Sequence, residues 1–139
     1  MATAREVMTR ECRCVGEHQT LAEAARMMRD LNVGALPICG DDDRLKGMLT
    51  DRDIVVRCIA ENGDPAETAA GALARGKPIC VDADTPMEQV MDIMSRHQIR
   101  RVPVIENKRL VGIISQADVA RQVPEQRTGK VVEEISANR

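Results

Sequence analysis

Two short stretches of this chain carry a hydroxyl residue followed three positions later by an aspartate, Thr50-Asp51-Arg52-Asp53 and Ser115-Gln116-Ala117-Asp118. At the start of a helix such a pair has two uses. It can form a capping box, in which hydroxyl and carboxylate each accept from the other's amide, contributing about 1 kcal/mol per cap. Alternatively, the helix start can offer N–H groups and partial positive charge to a phosphate, while the carboxylate accepts from a ribose diol. Both uses draw on the same atoms, and the residues alone leave both open. The surroundings of the two pairs differ. Arg100-Arg101 precedes the second, where Gly34-Ala35 holds the matching place before the first. A guanidinium meets phosphate with two parallel hydrogen bonds. Phosphate binding is therefore expected at the second pair, the plainer reading being exposed arginines that are solvated or paired with Glu106.

The two pairs occupy one position in a repeated unit. Arg44-Leu45-Lys46-Gly47-Met48-Leu49-Thr50-Asp51-Arg52-Asp53-Ile54 returns as Arg109-Leu110-Val111-Gly112-Ile113-Ile114-Ser115-Gln116-Ala117-Asp118-Val119. Cys14-Val15 returns as Cys80-Val81, and Leu36-Pro37-Ile38 as Val102-Pro103-Val104; the offset is 66 residues before the Asp41–Asp43 turn and 65 after it. Repeats of this size stack to bury their apolar faces. Each unit reads β-α-β-β-α. Cys12–Val15 is a strand candidate. Thr20 then caps a helix with Leu21, Ala24, Ala25, Met28 and Leu31 on one face. Its counterpart, with Met87, Val90, Met91 and Met94, has Thr85 as cap and Pro86 in the first turn. The helices stop near Asn32-Val33-Gly34 and Gln98-Ile99. Two apolar runs joined by a polar turn predict a hairpin in each copy, Ala35–Cys39 with Leu45–Leu49 and Arg101–Ile105 with Leu110–Ile114. A second helix follows from Thr50 or Ser115, ended by Gly63 or Pro124. The expected fold class is α/β of the α+β type. The first unit with its leader spans 1–66, the second 67–124, and a polar tail 125–139, apolar at Val131, Val132 and Ile135, enough for one amphipathic turn or two.

Composition narrows the function classes. A formal net charge of −2 without a basic stripe argues against nucleic acid, and the absence of Phe, Tyr and Trp removes any base-stacking platform. No apolar run approaches the length of a membrane span and no signal-peptide pattern opens the chain, so a cytoplasmic protein is expected. The five cysteines, Cys12, Cys14, Cys39, Cys58 and Cys80, are odd in number and so read as free thiols, with Cys14 and Cys39 the pair placed to oxidise. Cys14 and Cys80 read as small core residues of equivalent strands. Cys12, Cys14 and His18 are weak zinc candidates, lacking the second Cys-x-x-Cys of a structural site. His18 and His97 stand apart from any nucleophile motif, and no glycine-rich phosphate loop exists, so no enzyme is expected. Apolar helix positions Met27, Met28, Ile93, Met94, Val55, Val56, Ile59 and Val123 exceed what one small core can hold, which predicts a homodimer.

Taken together, the Val7-Met8-Thr9 leader, the Pro37 and Pro103 strands and the paired Gly-hydrophobic-hydrophobic-Thr/Ser-x-x-Asp corners resemble a tandem pair of CBS domains, a Bateman module, over about residues 4–124. Cys14–His18, Gly34–Asp43 and Thr50–Ile54 are similar, more particularly, to the small stand-alone CBS proteins of the mycobacterial hypoxic response. The resemblance implies two units related by a pseudo-twofold axis, with clefts between their sheets that bind adenosine nucleotides. In that pattern Asp53 and Asp118 would hold ribose hydroxyls, Thr50 and Ser115 phosphate or ribose, and Arg100 and Arg101 phosphate. It implies a regulatory module without an obligatory cofactor, signalling through its dimer or a protein partner in a stress response. The competing reading is a structural, redox- or metal-responsive CBS protein with empty clefts.

Overall fold

Short elements in a fixed order make up each copy, and local chemistry sets where each one starts and stops. The computed structural model describes residues 2–10, 13–74, 78–122 and 135. A one-turn helix, α1 (Ala4–Val7), is followed by β1 (Val15–Gly16), α2 (Leu21–Leu31), β2 (Ala35–Cys39), β3 (Leu45–Thr50) and α3 (Asp51–Asp53). The last runs on as a π-helix over Ile54–Ile59. A 3-10 turn over Ala70–Leu73 leads to β4 (Val81–Asp82), α4 (Met87–His97), β5 (Arg101–Glu106), β6 (Arg109–Ser115) and α5 (Gln116–Gln122). The architecture is α+β, with two three-stranded sheets ordered β1-β2-β3 and β4-β5-β6. In each sheet the first pair is parallel and the hairpin antiparallel. The hairpins share one register: Leu36 faces Leu49 and Ile38 faces Gly47, as Val102 faces Ile114 and Val104 faces Gly112.

Helix ends follow the sequence with instructive exceptions. The Thr20 hydroxyl accepts from the Glu23 amide at 3.1 Å, the cap expected of it. Thr85 has no such role: Pro86 is itself the N-cap, in extended backbone, and carries no side-chain acceptor. The orphan amide of Met87 instead donates to the Ala2 carbonyl at 2.9 Å, so a distant segment does the capping. Asn32 and Gln98 close α2 and α4 in the left-handed region, at φ 55° and 53°. The next amides, Val33 and Ile99, reach back to Met28 and Met94 at 3.0 and 3.1 Å. At the end of the π-helix the left-handed residue is Asn62, not Gly63, whose amide donates to the Cys58 carbonyl at 2.8 Å. The strand expected over Cys12–Val15 begins only at Val15, leaving Cys14 ahead of β1 and Cys80 ahead of β4. Both of these cysteines are half-buried.

The chain divides into two units, one of residues 13–78 and one built from residues 1–12 with 79–139. The leader thus packs with the second copy, and the connecting segment around Ala70 with the first, displacing the expected division at 66. One set of backbone bonds holds both segments. Ala4 donates to Thr85 and Arg5 to Ala83, at 2.8 and 2.9 Å; Ala70 donates to Gln19 and Gly71 to Glu17, at 2.7 and 2.9 Å. Each core therefore includes a borrowed pair, Ala4 and Val7 in one and Ala70 and Leu73 in the other. The remaining core residues repeat in order: Val15, Leu21, Met28, Leu36, Ile38 and Leu49 against Val81, Met87, Met94, Val102, Val104 and Ile114. Met28 and Met94 are core residues and do not contribute to a surface, while Met27 and Ile93 are partly buried. Ile135 is helical and buried in the second unit's core. Val123, Pro124, Val131 and Val132 lie outside the described residues.

Candidate functional site

The second hydroxyl–carboxylate pair closes as a capping box at the junction of β6 and α5. Asp118 accepts from the Ser115 amide at 2.9 Å and from the Ser115 hydroxyl at 3.1 Å, while its own amide donates to that hydroxyl at 3.2 Å. Two further donors reach the same carboxylate. The Thr9 hydroxyl lies 3.3 and 3.4 Å from its two oxygens, and the Arg121 guanidinium pairs with Oδ1. Asp118 is the buried charged residue of the described core, at 4% exposure. The first pair is looser. Asp53 accepts from the Thr50 amide at 2.9 Å and donates its amide to the Thr50 hydroxyl at 3.0 Å. Arg57 stands 3.7 Å from its Oδ1, and the Asp53 side chain is 25% exposed.

The backbone brings the arginines to the second corner. Arg101 faces Ser115 across the β5–β6 ladder, and the Gln116 amide donates to the Arg100 carbonyl at 3.0 Å. In the first copy Ala35 faces Thr50, and Asp51 donates to the Gly34 carbonyl at 2.9 Å. The corners are the same in backbone and opposite in charge. A Cβ on Gly34 would lie 3.2 Å from the Asp51 carboxylate, so the first copy sets an anion where the second sets Arg100 and neutral Gln116. Arg100 is exposed and Arg101 half-buried. The pairing with Glu106 considered for them is absent: Glu106 binds Arg5, which also reaches Asp84 at 3.3 Å. Those two carboxylates hold the Arg5 guanidinium above its ordinary value, the Glu106 hydrogen bond contributing most.

Residues 4–59 and 70–125 each match the CBS domain. The chain belongs to the CBS-domain family. These bounds begin each repeat at Ala4 and at Ala70, the two residues that open the borrowed segments. Hypoxic response protein 1 of Mycobacterium tuberculosis is 54% identical over 90% of this chain and 87% of its own length. The CBS domain-containing protein YhcV of Bacillus subtilis is 34% identical over 98% of this chain and 96% of its own. A crystal structure of Hypoxic Response Protein I with two coordinated zinc ions superposes at a TM-score of 0.83, with 53% identity, over 88% of this chain and all of that one. CBSX2 in complex with AMP superposes at 0.76 with 22% identity, over 87% of this chain and 95% of that one, a likeness of fold.

The zinc ions of that relative invite a test of this CBS pair's own donors. Among the described residues no three His, Cys, Asp or Glu side chains stand close enough to hold a metal ion. Cys12 lies outside the described residues, Cys14 is half-buried, and exposed His18 lies 4.0 Å from Asp41. The described donors therefore do not fit a zinc site. Nor does Cys80 resemble a reactive thiolate, since burial and then the charge of Asp82 push its thiol up. Cys39 is buried on β2 and Cys58 in the π-helix.

Three residues at the corners escaped the sequence reading. Arg57 and Arg121 sit four and three positions after their aspartates, spacings that place side chains together on a helix and were open to inspection. Thr9 gave no local signal, because its partner is 109 residues away.

Proposed function

We propose that this chain is a stand-alone CBS-pair regulatory module that binds an adenosine nucleotide, and that it is not an enzyme. The observation that carries this reading is the unequal pair of corners. Arg100 and Arg101 flank Ser115 and Asp118, whereas Asp51 and Gly34 flank Thr50 and Asp53. Phosphate goes to Arg100 and Arg101, the ribose hydroxyls to Asp118, and Ser115 assists either. Thr50 and Asp53 form the weaker corner. CBSX2 was solved with AMP, and the proposal extends that class of ligand to this chain. No helix among the described residues is long and apolar enough to cross a membrane, and the module is proposed to work in the cytoplasm.

Calorimetric or circular-dichroism melts test the reading directly; the chain has no aromatic residue for a fluorescence signal. A ligand at a hundred times its Kd stabilises by about 2.7 kcal/mol, which for a chain of this size raises Tm on the order of 5–10 °C. AMP, ADP or ATP is expected to give such a concentration-dependent rise. No rise with any of the three would favour the empty-cleft alternative, and a rise with zinc alone would favour a metal-responsive one.

The module is further proposed to signal as a homodimer or through a protein partner. Val55, Val56 and Ile59 of the π-helix are 55%, 41% and 52% exposed, three large apolar side chains left bare on one short helix. Sedimentation at micromolar concentration is expected to give a particle of twice 15.3 kDa, and Val55→Asp with Ile59→Asp to halve it. A unit-mass particle from the unmodified chain would rule the dimer out.

A further inference from the structure

We infer that the leader carries an internal competitor for the nucleotide: Thr9 latches residues 8–10 onto Asp118, and a ribose diol must displace it. The inference rests on the proposed nucleotide site and adds a regulatory device to it. A carboxylate offers about four lone-pair positions. On Asp118 these are met by the Ser115 amide and hydroxyl, the Arg121 guanidinium and the Thr9 hydroxyl. With the carboxylate 4% exposed, an incoming diol finds no vacant acceptor. One donor has to leave.

Thr9 is the donor held least firmly. Its hydroxyl is shared between the two oxygens at 3.3 and 3.4 Å, well beyond the usual O–H···O range of about 2.5–3.0 Å. The Ser115 donors belong to the helix cap, and the Arg121 bond is charge-assisted. Thr9 is also exposed, so its hydroxyl regains water on release. The segment behind it is built to lie flush. Thr9 and Ile113 exchange backbone bonds at 2.8 and 3.1 Å. A Cβ on Gly112 would come within 2.5 Å of the Met8 sulfur and 3.0 Å of the Thr9 carbonyl, so glycine leaves the room in which the segment rests on β6. Upstream, buried Ala4 and Val7 pin α1 to the core independently. Displacing Thr9 would therefore loosen positions 8–10 and leave α1 in place. A change in ligand occupancy becomes a change in the order of one exposed segment.

Two measurements on full-length Thr9→Val, which keeps the shape and removes the hydroxyl, test this. By calorimetry, AMP is expected to bind roughly fivefold more tightly than to the unmodified chain, the factor that one long, weak hydrogen bond to the carboxylate represents. Without ligand, the amides at positions 9 and 113 should exchange faster in the variant, with those of Ala4 and Arg5 unchanged. Thr9→Ser should restore both values. Equal or weaker AMP binding by Thr9→Val would overturn the competition, and unaltered exchange at positions 9 and 113 would overturn the latch. Faster exchange in the variant with no AMP binding by either form would support the latch and bring down the nucleotide reading alone.

Discussion

Asp118→Ala is expected to cost the folded chain about 3 kcal/mol, and Asp53→Ala about 1 kcal/mol, although the two residues hold equivalent positions. The difference lies in what each carboxylate leaves behind. Removing Asp118, itself 4% exposed, leaves the half-buried Ser115 amide and hydroxyl without their acceptor, and also unties Thr9. Each unsatisfied buried donor costs about 1–3 kcal/mol. The loss stays near the lower part of the range for a broken buried ion pair, because the Arg121 side chain is 67% exposed and returns to water. Asp53, at 25% exposure, accepts one short bond, from the Thr50 amide, and stands 3.7 Å from Arg57, so what it loses is chiefly a helix cap. Urea denaturation of the two variants beside the unmodified chain measures the difference. Equal shifts in midpoint at equal slope would mean that Asp118 is only a helix cap.

Which features could be read in advance follows from how local their causes are. The hairpins were legible to within one residue at each strand end, because alternation and a polar turn fix register within about ten positions. Asn32 announced one helix end, since asparagine accepts the left-handed conformation more readily than most residues, whereas Gln98 adopts it without that preference. Thr50 with Asp53 and Ser115 with Asp118 stand together at their helix starts, and Arg101 lies across the ladder from Ser115 as Ala35 does from Thr50. What failed to show was everything that depends on a segment far off in the chain. Pro86 could replace Thr85 as cap because Ala2 supplies the Met87 amide with its acceptor, and nothing near Pro86 encodes Ala2. The same holds for the borrowed segments. Ala4 and Val7 match Ala70 and Leu73 at the 66-residue offset, but two small apolar residues per copy are too faint to extend the repeat until their burial is seen. Met28 and Met94 were counted among apolar positions too many for one core, because a helix pattern shows a face without showing what covers it.

Nucleotide affinity should depend mainly on the second corner, and Arg101→Ala should lower it tenfold or more. Arg101 faces Ser115 across the ladder, and a charged hydrogen bond to phosphate contributes about 1.5–3 kcal/mol, against about 1.4 kcal/mol for each factor of ten. Asp53→Ala should change affinity far less. The reciprocal experiment is stricter, because it asks whether charge alone separates the corners. Arginine at position 34 by itself would meet Asp51, whose carboxylate lies 3.2 Å from where its Cβ would stand, and would be neutralised there. Gly34→Arg with Ala35→Arg and Asp51→Gln reproduces the second corner in the first, on a backbone already held by the same carbonyl-to-amide bond. Calorimetry on this triple variant is expected to show a second binding event per chain, or a marked strengthening of a weak one. An unchanged single event, in a variant that melts normally, would show that the arginines do not set the asymmetry.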